Sequence, residues 1–291
     1  MSEQLPGEGD EEQKKPRAER RDKGARLLNR RDKRVLAWVA EQYAVRFDHL
    51  QRLLSAEPGH KSERFAPGAR GVSDSDVLQV IKRWERDPAW AVYKRFYVDT
   101  PGWIWTTPYG VEVLASQNLI PRYARHFPKE STFEHLHYVN YVRLDIEARH
   151  PDYRWVSERS IRKLLGRREE GDDLAHIPDG QIWLDDRRAV AVEVELSPKN
   201  EGDYDAILDE LLITGVMLPD GSAFKYKTVW YFVSSANDVH VQARRMVEEA
   251  RGRLAEEYRR FVQVIELETL VQRYDASATK AAAPAKPANR S

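Results

Sequence analysis

The chain has no cysteine among its 291 residues. That excludes a disulfide framework, a thiolate zinc site and a cysteine nucleophile together. It also has no apolar run approaching the roughly 18 residues of a membrane span, so no contact with a membrane is expected. The opening segment, MSEQLPGEGDEEQKK, lacks the apolar stretch of a secretion signal, and a cytoplasmic protein is the expectation. No internal repeat, no Gly-rich phosphate loop and no Ser/His/Asp arrangement is visible. What is present is core-building material: 41% hydrophobic residues with Trp 8 and Tyr 13, on a surface drawn from 32% charged residues. Such a chain is globular and long enough for two compact domains.

The formal net charge of +0 hides a split. Residues 1–12 carry five acids and no base, residues 13–129 carry 24 Lys and Arg against 13 Asp and Glu, and residues 130–291 carry 23 against 29. A basic front half suits a polyanion, and an acidic back half suits a cation. Residues 1–30 and 275–291 are charged or low in complexity and are expected to be disordered. A linker-like stretch, 117–131, separates a front unit (31–116) from a back unit (132–274).

In the front unit, Val35, Leu36, Val39 and Ala40 recur at helical intervals over 32–41, and Phe47, Leu50, Leu53 and Leu54 over 46–55. After a loop with Pro58, Gly59, Pro67, Gly68 and Gly71, Ser73 or Ser75 offers an N-cap to a third helix over 74–87, ended by Asp87-Pro88. Val77, Val80, Ile81 and Trp84 form its apolar face. Strands follow over 91–100 and 103–107 around Pro101-Gly102, then a helix over 109–117. Three helices and a hairpin in that order make a winged helix-turn-helix. That motif reads the major groove with its third helix. Gln79, Lys82, Arg83 and Arg86 on that helix, with Lys94 and Arg95 on the wing, are therefore the candidate DNA contacts. Asp74, Asp76, Glu85 and Asp87 oppose such contacts, and a dimerisation or docking module stays open, because a fold alone assigns no function. Trp103 and Trp105 alternate onto one side of their strand and read as core.

The back unit reads as a helix over 132–149, a strand near 153–156 and a basic helical piece over 157–169. Strands over 176–184 and 188–196 follow, joined by the turn Asp185-Asp186-Arg187-Arg188. Then come a helix over 203–216, a strand over 227–235, a helix over 237–258 and a strand over 261–267. This is an α/β domain on a mixed sheet, which makes the chain α+β as a whole. In the strand over 189–196, a period of two sets Val190, Val192, Val194 and Leu196 on one face and Ala189, Ala191, Glu193 and Glu195 on the other. Two carboxylates on so apolar a strand are costly unless a cation or hydrogen bonds satisfy them. Bound Mg²⁺ or Mn²⁺ is the simplest remedy, since hard oxygen ligands suit hard cations. Pairing with Arg162 or Lys163 is the alternative. Hairpin pairing brings Asp179 close to Glu193 and Glu195, Glu158 is a fourth carboxylate, and Lys199 follows the strand end. His135 and His137 point about 160° apart on a helix and read as ordinary helix histidines. Lys163, Arg167 and Arg168 are either a solvated face or a second contact with a nucleic-acid backbone.

An early Glu (Glu158), then Pro178-Asp179, then Glu193 and Glu195 with a nearby Lys199, resembles the PD-(D/E)XK nuclease superfamily. The resemblance implies that the acids, Asp179, Glu193 and Glu195 foremost, hold one or two divalent ions against the scissile phosphate. It implies that Lys199 orients water or stabilises charge. A wider pattern takes in Thr107-Pro108-Tyr109-Gly110, the helix start from His135 to Asn140, Trp155…Glu158, Ile177-Pro178-Asp179-Gly180 and Glu193-Val194-Glu195. Over residues 31–274 it resembles the bacterial replication-relaxation family, linked to plasmid and mobile-element replication. The resemblance implies DNA as partner, replication or mobile-element proteins as further partners, and leaves a homodimer open. The pattern departs at Glu195, where the nuclease motif has Lys. Lys199 lies four residues further, about 13 Å along an extended strand, and reaches the acids only if Pro198 turns the chain back. Two functions therefore remain. One is a DNA-binding protein whose nuclease-like domain is an active Mg- or Mn-dependent endonuclease or nickase. The other is a non-catalytic winged-helix regulator, of replication or antitoxin-like, with a degenerate nuclease fold.

Overall fold

The computed structural model describes residues 28–55, 72–124, 129–166, 176–185, 187–218 and 220–272. The expected disordered ends (except residues 28–30), the Pro/Gly loop, Arg167, Arg168 and Asp186 lie outside the described residues. Residues 28–30 instead form the start of the first helix. Leu28 is buried, and the Asn29 side chain accepts from Asp32 N at 2.8 Å to cap α1 (Arg30–Glu41).

The front half continues with β1 (Val45–Arg46), α2 (Phe47–Ser55), α3 (Asp74–Trp84), β2 (Ala91–Lys94), β3 (Trp103–Thr106) and α4 (Pro108–Ser116). Ser73 caps α3 as expected, but the helix closes at Trp84 instead of 87. Pro88 disfavours helical backbone at Asp87, so Arg86 follows the helix instead of riding on it. The hairpin becomes a three-stranded antiparallel sheet, β1-β3-β2, because the two residues of β1 pair with β3. The helical faces read from periodicity meet in one core: Leu36, Leu50, Leu53, Ile81, Trp84, Ile104 and Leu114 are all essentially sealed from solvent.

The back half runs α5 (Phe133–Arg149), β4 (Arg154–Ser157), α6 (Glu158–Leu165), β5 (Gly180–Trp183), β6 (Ala189–Glu195) and α7 (Glu201–Asp209). A π-helical turn (Glu210–Thr214), a small hairpin of β7 (Val216–Met217) and β8 (Ala223–Phe224), β9 (Thr228–Val233), α8 (Asp238–Arg253), α9 (Glu256–Arg259) and β10 (Val262–Glu266) complete it. The expected helix over 237–258 breaks at Leu254 and Ala255, both in extended backbone. The five-stranded sheet has the order β10-β9-β6-β5-β4. Strands β4, β5 and β6 are mutually antiparallel, while β6, β9 and β10 are parallel, so the sheet is mixed. β6 is central and wholly buried, and its two faces divide as the period of two requires. Val190, Val192, Val194 and Leu196 pack with Val139, Val142 and Ile146 of α5. Ala189 and Ala191 pack with residues of α6, α7 and α8, among them Ile161, Tyr204 and Val247. Among the described residues no helix is long and apolar enough to cross a membrane.

The halves meet along α1 and α5, and the contact is polar at its centre. Arg143 of α5, 5% exposed, donates to Glu147 Oε1 at 2.9 Å and to Glu41 Oε2 at 2.7 Å, with its guanidinium 4.4 Å from the Trp38 ring centroid. Trp38 Nε1 donates to the other Glu147 oxygen at 3.0 Å. Asn140 donates to Ala44 O at 3.0 Å, and Arg159 donates to Ala40 O and Ala124 O. His49 of α2 faces His137 of α5, Nε2 to Nδ1, at 2.7 Å. Burial pushes the two imidazoles down to about 3 and about 2 respectively.

Two outcomes follow from this seam. Arg143→Ala strands the buried Glu147 and the half-buried Glu41, and urea unfolding is expected to show a loss of about 3 kcal/mol. The folded state refuses protons at His49 and His137 that the unfolded chain accepts below its ordinary value near 6.5. Stability should therefore fall as pH drops from 6.5 toward 3. Melting temperatures across that range are expected to show a gentler slope in His49→Gln than in the unmodified chain.

Candidate functional site

The carboxyl end of β6 carries the site, and the local sequence explains why the acids converge there. Gly180 pairs with Val192, which sets Asp179 one step beyond the paired segment, opposite the acids of β6. The Asp179 side chain accepts from Val194 N at 2.8 Å, which locks the two strands in this register. Gly180 is required here: a Cβ would lie 2.2 Å from the indole of Trp155 on the adjoining strand. Behind Asp179, its carbonyl accepts from Glu158 N at 3.2 Å, tying the start of α6 to the same point.

Lys199 does fold back. Asn200 and Asp203 form a reciprocal capping box at the start of α7, and Lys199 N donates to the buried Tyr204 hydroxyl at 3.2 Å. This fixes the Ser197-Pro198 turn, and Lys199 Nζ ion-pairs with Glu195. The distance along the strand that would separate them is cancelled by the turn.

Each acid has an internal partner. Asp179 Oδ1 meets His135 Nε2 at 2.7 Å, Glu193 Oε1 meets His176 Nε2 at 2.6 Å, and Glu195 pairs with Lys199. The alternative of Arg162 or Lys163 pairing with the β6 acids does not hold, because Glu193 is held by His176 and Glu195 by Lys199, while Arg162 is bound to Glu158, four residues before it on α6. The charges shape one another. Asp179 lifts His135 up to about 9, against the opposing effect of burial. Burial raises Asp179, but the His135 charge outweighs it and holds the carboxyl below its usual value. Burial also raises Glu193 and Glu195, offset in part by His176 and Lys199. Tyr231, next to Glu193 across the β6–β9 pair, is driven well above its usual value by burial and by these acids. Among the described residues its hydroxyl has no hydrogen-bond partner.

A cleft of about 790 Å³ opens over this floor, bounded by His135, His176, Asp179, Glu193, Glu195 and Lys199 on one side and by Asn237–His240 at the first turn of α8 on the other. It lies at the carboxyl ends of parallel strands β6 and β9, the position where open α/β sheets take ligands. Among the described residues no three His, Asp or Glu side chains stand together as a ready metal-binding group. Asp179, Glu193 and Glu195 are nevertheless oxygen donors on one floor, held by partners of which His135 and Lys199 remain more than a third exposed.

Of the other candidates, Glu158 lines a small cavity with Asp179, beside the main cleft. Gln79, Lys82, Arg86, Lys94 and Arg95 are exposed on the front half. Arg83 is half-committed, donating to the buried Asp32 at 2.6 Å. The main residues that sequence reasoning missed are His135, His176 and Tyr231. Two had a signal. His135 continues the stripe of Val139, Val142 and Ile146 that faces the sheet, and Tyr231 alternates with Val229 and Val233 on the face that carries the acids. His176 had none, since it precedes β5 in irregular chain.

The raised His135 proton affinity gives a pH signature. Its pair with Asp179 stabilises the fold fully below the unfolded value near 6.5, and this is lost as pH rises toward 9. Melting temperature should therefore fall between these limits in the unmodified chain, and less so in His135→Gln. Compared with protein-family models, with curated proteins and with solved structures, the chain has no match.

Proposed function

We propose that this is a DNA-binding protein of plasmid or mobile-element replication, with a winged helix in its front half and a PD-(D/E)XK nuclease-like site in its back half. The observation that carries the reading is the convergence of Asp179, Glu193, Glu195 and a folded-back Lys199 at the mouth of one cleft. The chain order of helix α5, strand β4, helix α6, the antiparallel pair β5 and β6, helix α7 and, after the small β7–β8 hairpin, the parallel strand β9 is consistent with it. So is the exposure of Lys82, Arg86, Lys94 and Arg95, which suits contact with phosphate and makes binding salt-dependent.

The donor set fits Mg²⁺ or Mn²⁺. Asp179, Glu193 and Glu195 would hold the ion, with Glu158 beside Asp179, and the Tyr231 hydroxyl, without a partner among the described residues, is a polar group available to a rearranged carboxylate. Such an ion, when bound, supplies Lewis acidity and a water of lowered pKa. The chain's own part is to keep Asp179 ionised, to bury Glu193 and Glu195 where their charge is costly without a cation, and to hold Lys199 as a positive charge at the cleft. One observation favours the second reading, a non-catalytic DNA-binding regulator: every acid of the floor is already matched by His135, His176 or Lys199.

The test is plasmid cleavage or nicking by the full chain in Mg²⁺ or Mn²⁺. Asp179→Asn and Glu193→Gln are expected to reduce the rate at least about a hundredfold while leaving salt-sensitive DNA binding intact. Calorimetric titration of each metal into the unmodified chain and into Asp179→Ala separates the two readings. Heat that the substitution abolishes supports the nuclease-like site, whereas no cleavage and no heat at millimolar metal leave the regulator.

A further inference from the structure

The wall of the cleft opposite the acids carries a buried histidine in the first turn of α8. His240 is 3% exposed, its backbone N–H donates to the Asn237 side chain at 3.0 Å, and it lines the cleft. Two further groups stand behind its ring. The Ser234 hydroxyl, just past the end of β9, donates to Glu268 Oε1 at 2.5 Å, and His240 Nδ1 lies 2.9 Å from Ser234 Oγ. An ionised carboxylate can only accept, and a serine hydroxyl has one proton to give. Burial raises Glu268, but the bonds from the Ser234 hydroxyl and Ser235 N–H outweigh it and hold the carboxyl below its usual value. The serine proton is therefore spent on Glu268, and Nδ1 must carry the hydrogen that reaches Ser234 Oγ. In the neutral ring this leaves Nε2 as a bare lone pair. The acid facing it, Glu134 Oε1 of α5, stands 3.6 Å away, outside hydrogen-bonding reach. Glu134 lines the same cleft, and the next residue, His135, holds Asp179. Serine is the middle member of this chain, so its hydroxyl is an anchor, and the reactive end is the imidazole.

We propose that His240 is the general base of the cleft, taking a proton from the water that attacks a phosphodiester held between the acids and α8, with Ser234 and Glu268 as positioning residues that fix its tautomer. This rests on the nuclease reading above. The water oxygen bonds to phosphorus as the ester P–O bond breaks. The water proton passes to Nε2, the departing oxygen takes a proton from solvent, and His240 later returns its own to solvent. Glu134 stands where it stabilises the imidazolium in between. A base oriented by a hydrogen-bonded third group is the arrangement that activates a nucleophile.

The test uses the full chain, plasmid DNA and Mg²⁺ or Mn²⁺. His240→Asn keeps a donor for Ser234 but removes the Nε2 lone pair, and cleavage is expected to fall about a hundredfold. His240→Ala should fall as far and regain at least about tenfold with added imidazole, a recovery that requires a folded site. Nitrogen-15 spectra of the metal-free chain are expected to show the neutral His240 ring protonated at Nδ1, and Ser234→Ala is expected to populate the Nε2–H form. The proposal is overturned by cleavage that survives His240→Asn, or by loss in both His240 variants without recovery in imidazole. An Nε2–H tautomer in the unmodified chain, or a tautomer that Ser234→Ala leaves unchanged, overturns it as well. If the unmodified chain cleaves nothing with either metal, the nuclease reading and the base fall together, whereas cleavage that persists in His240→Asn sinks the base alone.

Discussion

The rest of the molecule depends on a buried positive charge. Arg143 sits at the centre of the seam with Glu41 on one side, Glu147 on the other and the Trp38 ring against its plane. An ion buried this deeply is tolerated only with its partners in place. Glu41 lies 102 residues from Arg143, so the network is satisfied in one arrangement of the two halves and in no other. The neighbouring bonds from Asn140 and Arg159 end on backbone carbonyls of the front half, which fixes the approach of α1 to the sheet as well as its side chains. A purely apolar seam would tolerate sliding; this one sets a register.

The same logic, with the signs reversed, governs the acidic floor. Three carboxylates stand at the end of a central strand, where water is scarce and opposite charges act strongly. The chain meets the cost with His135, His176 and Lys199, each drawn from a different element. A cation entering the cleft would compete with these three for the same oxygens. Affinity for an external ion is therefore set by how readily the internal partners swing away, and the exposure of His135 and Lys199 makes them the first to yield.

Much of this architecture is legible in the sequence because it follows from local rules. The period-two split of β6 sorts residues onto two faces that pack against different helices, and Ser73 marks a helix start where a cap predicts it. The hidden parts depend on long-range pairing. The two residues of β1 carry too little pattern to be seen alone. Lys199 could be assigned to the acids only once Tyr204 and the α7 cap had fixed its turn. His176 precedes β5 in irregular chain, where no periodicity says which way a side chain faces, and its role is visible only from what it touches.

The seam also constrains the order in which the molecule can be made. A ribosome delivers the front half first, with Glu41 and the carbonyls of Ala40 and Ala44 lacking the groups that satisfy them. Those groups arrive with Asn140, Arg143 and Arg159, about a hundred residues of synthesis after α1 has emerged. The nascent front half must therefore wait with a carboxylate and two carbonyls facing water, and the two halves mature together instead of one after the other.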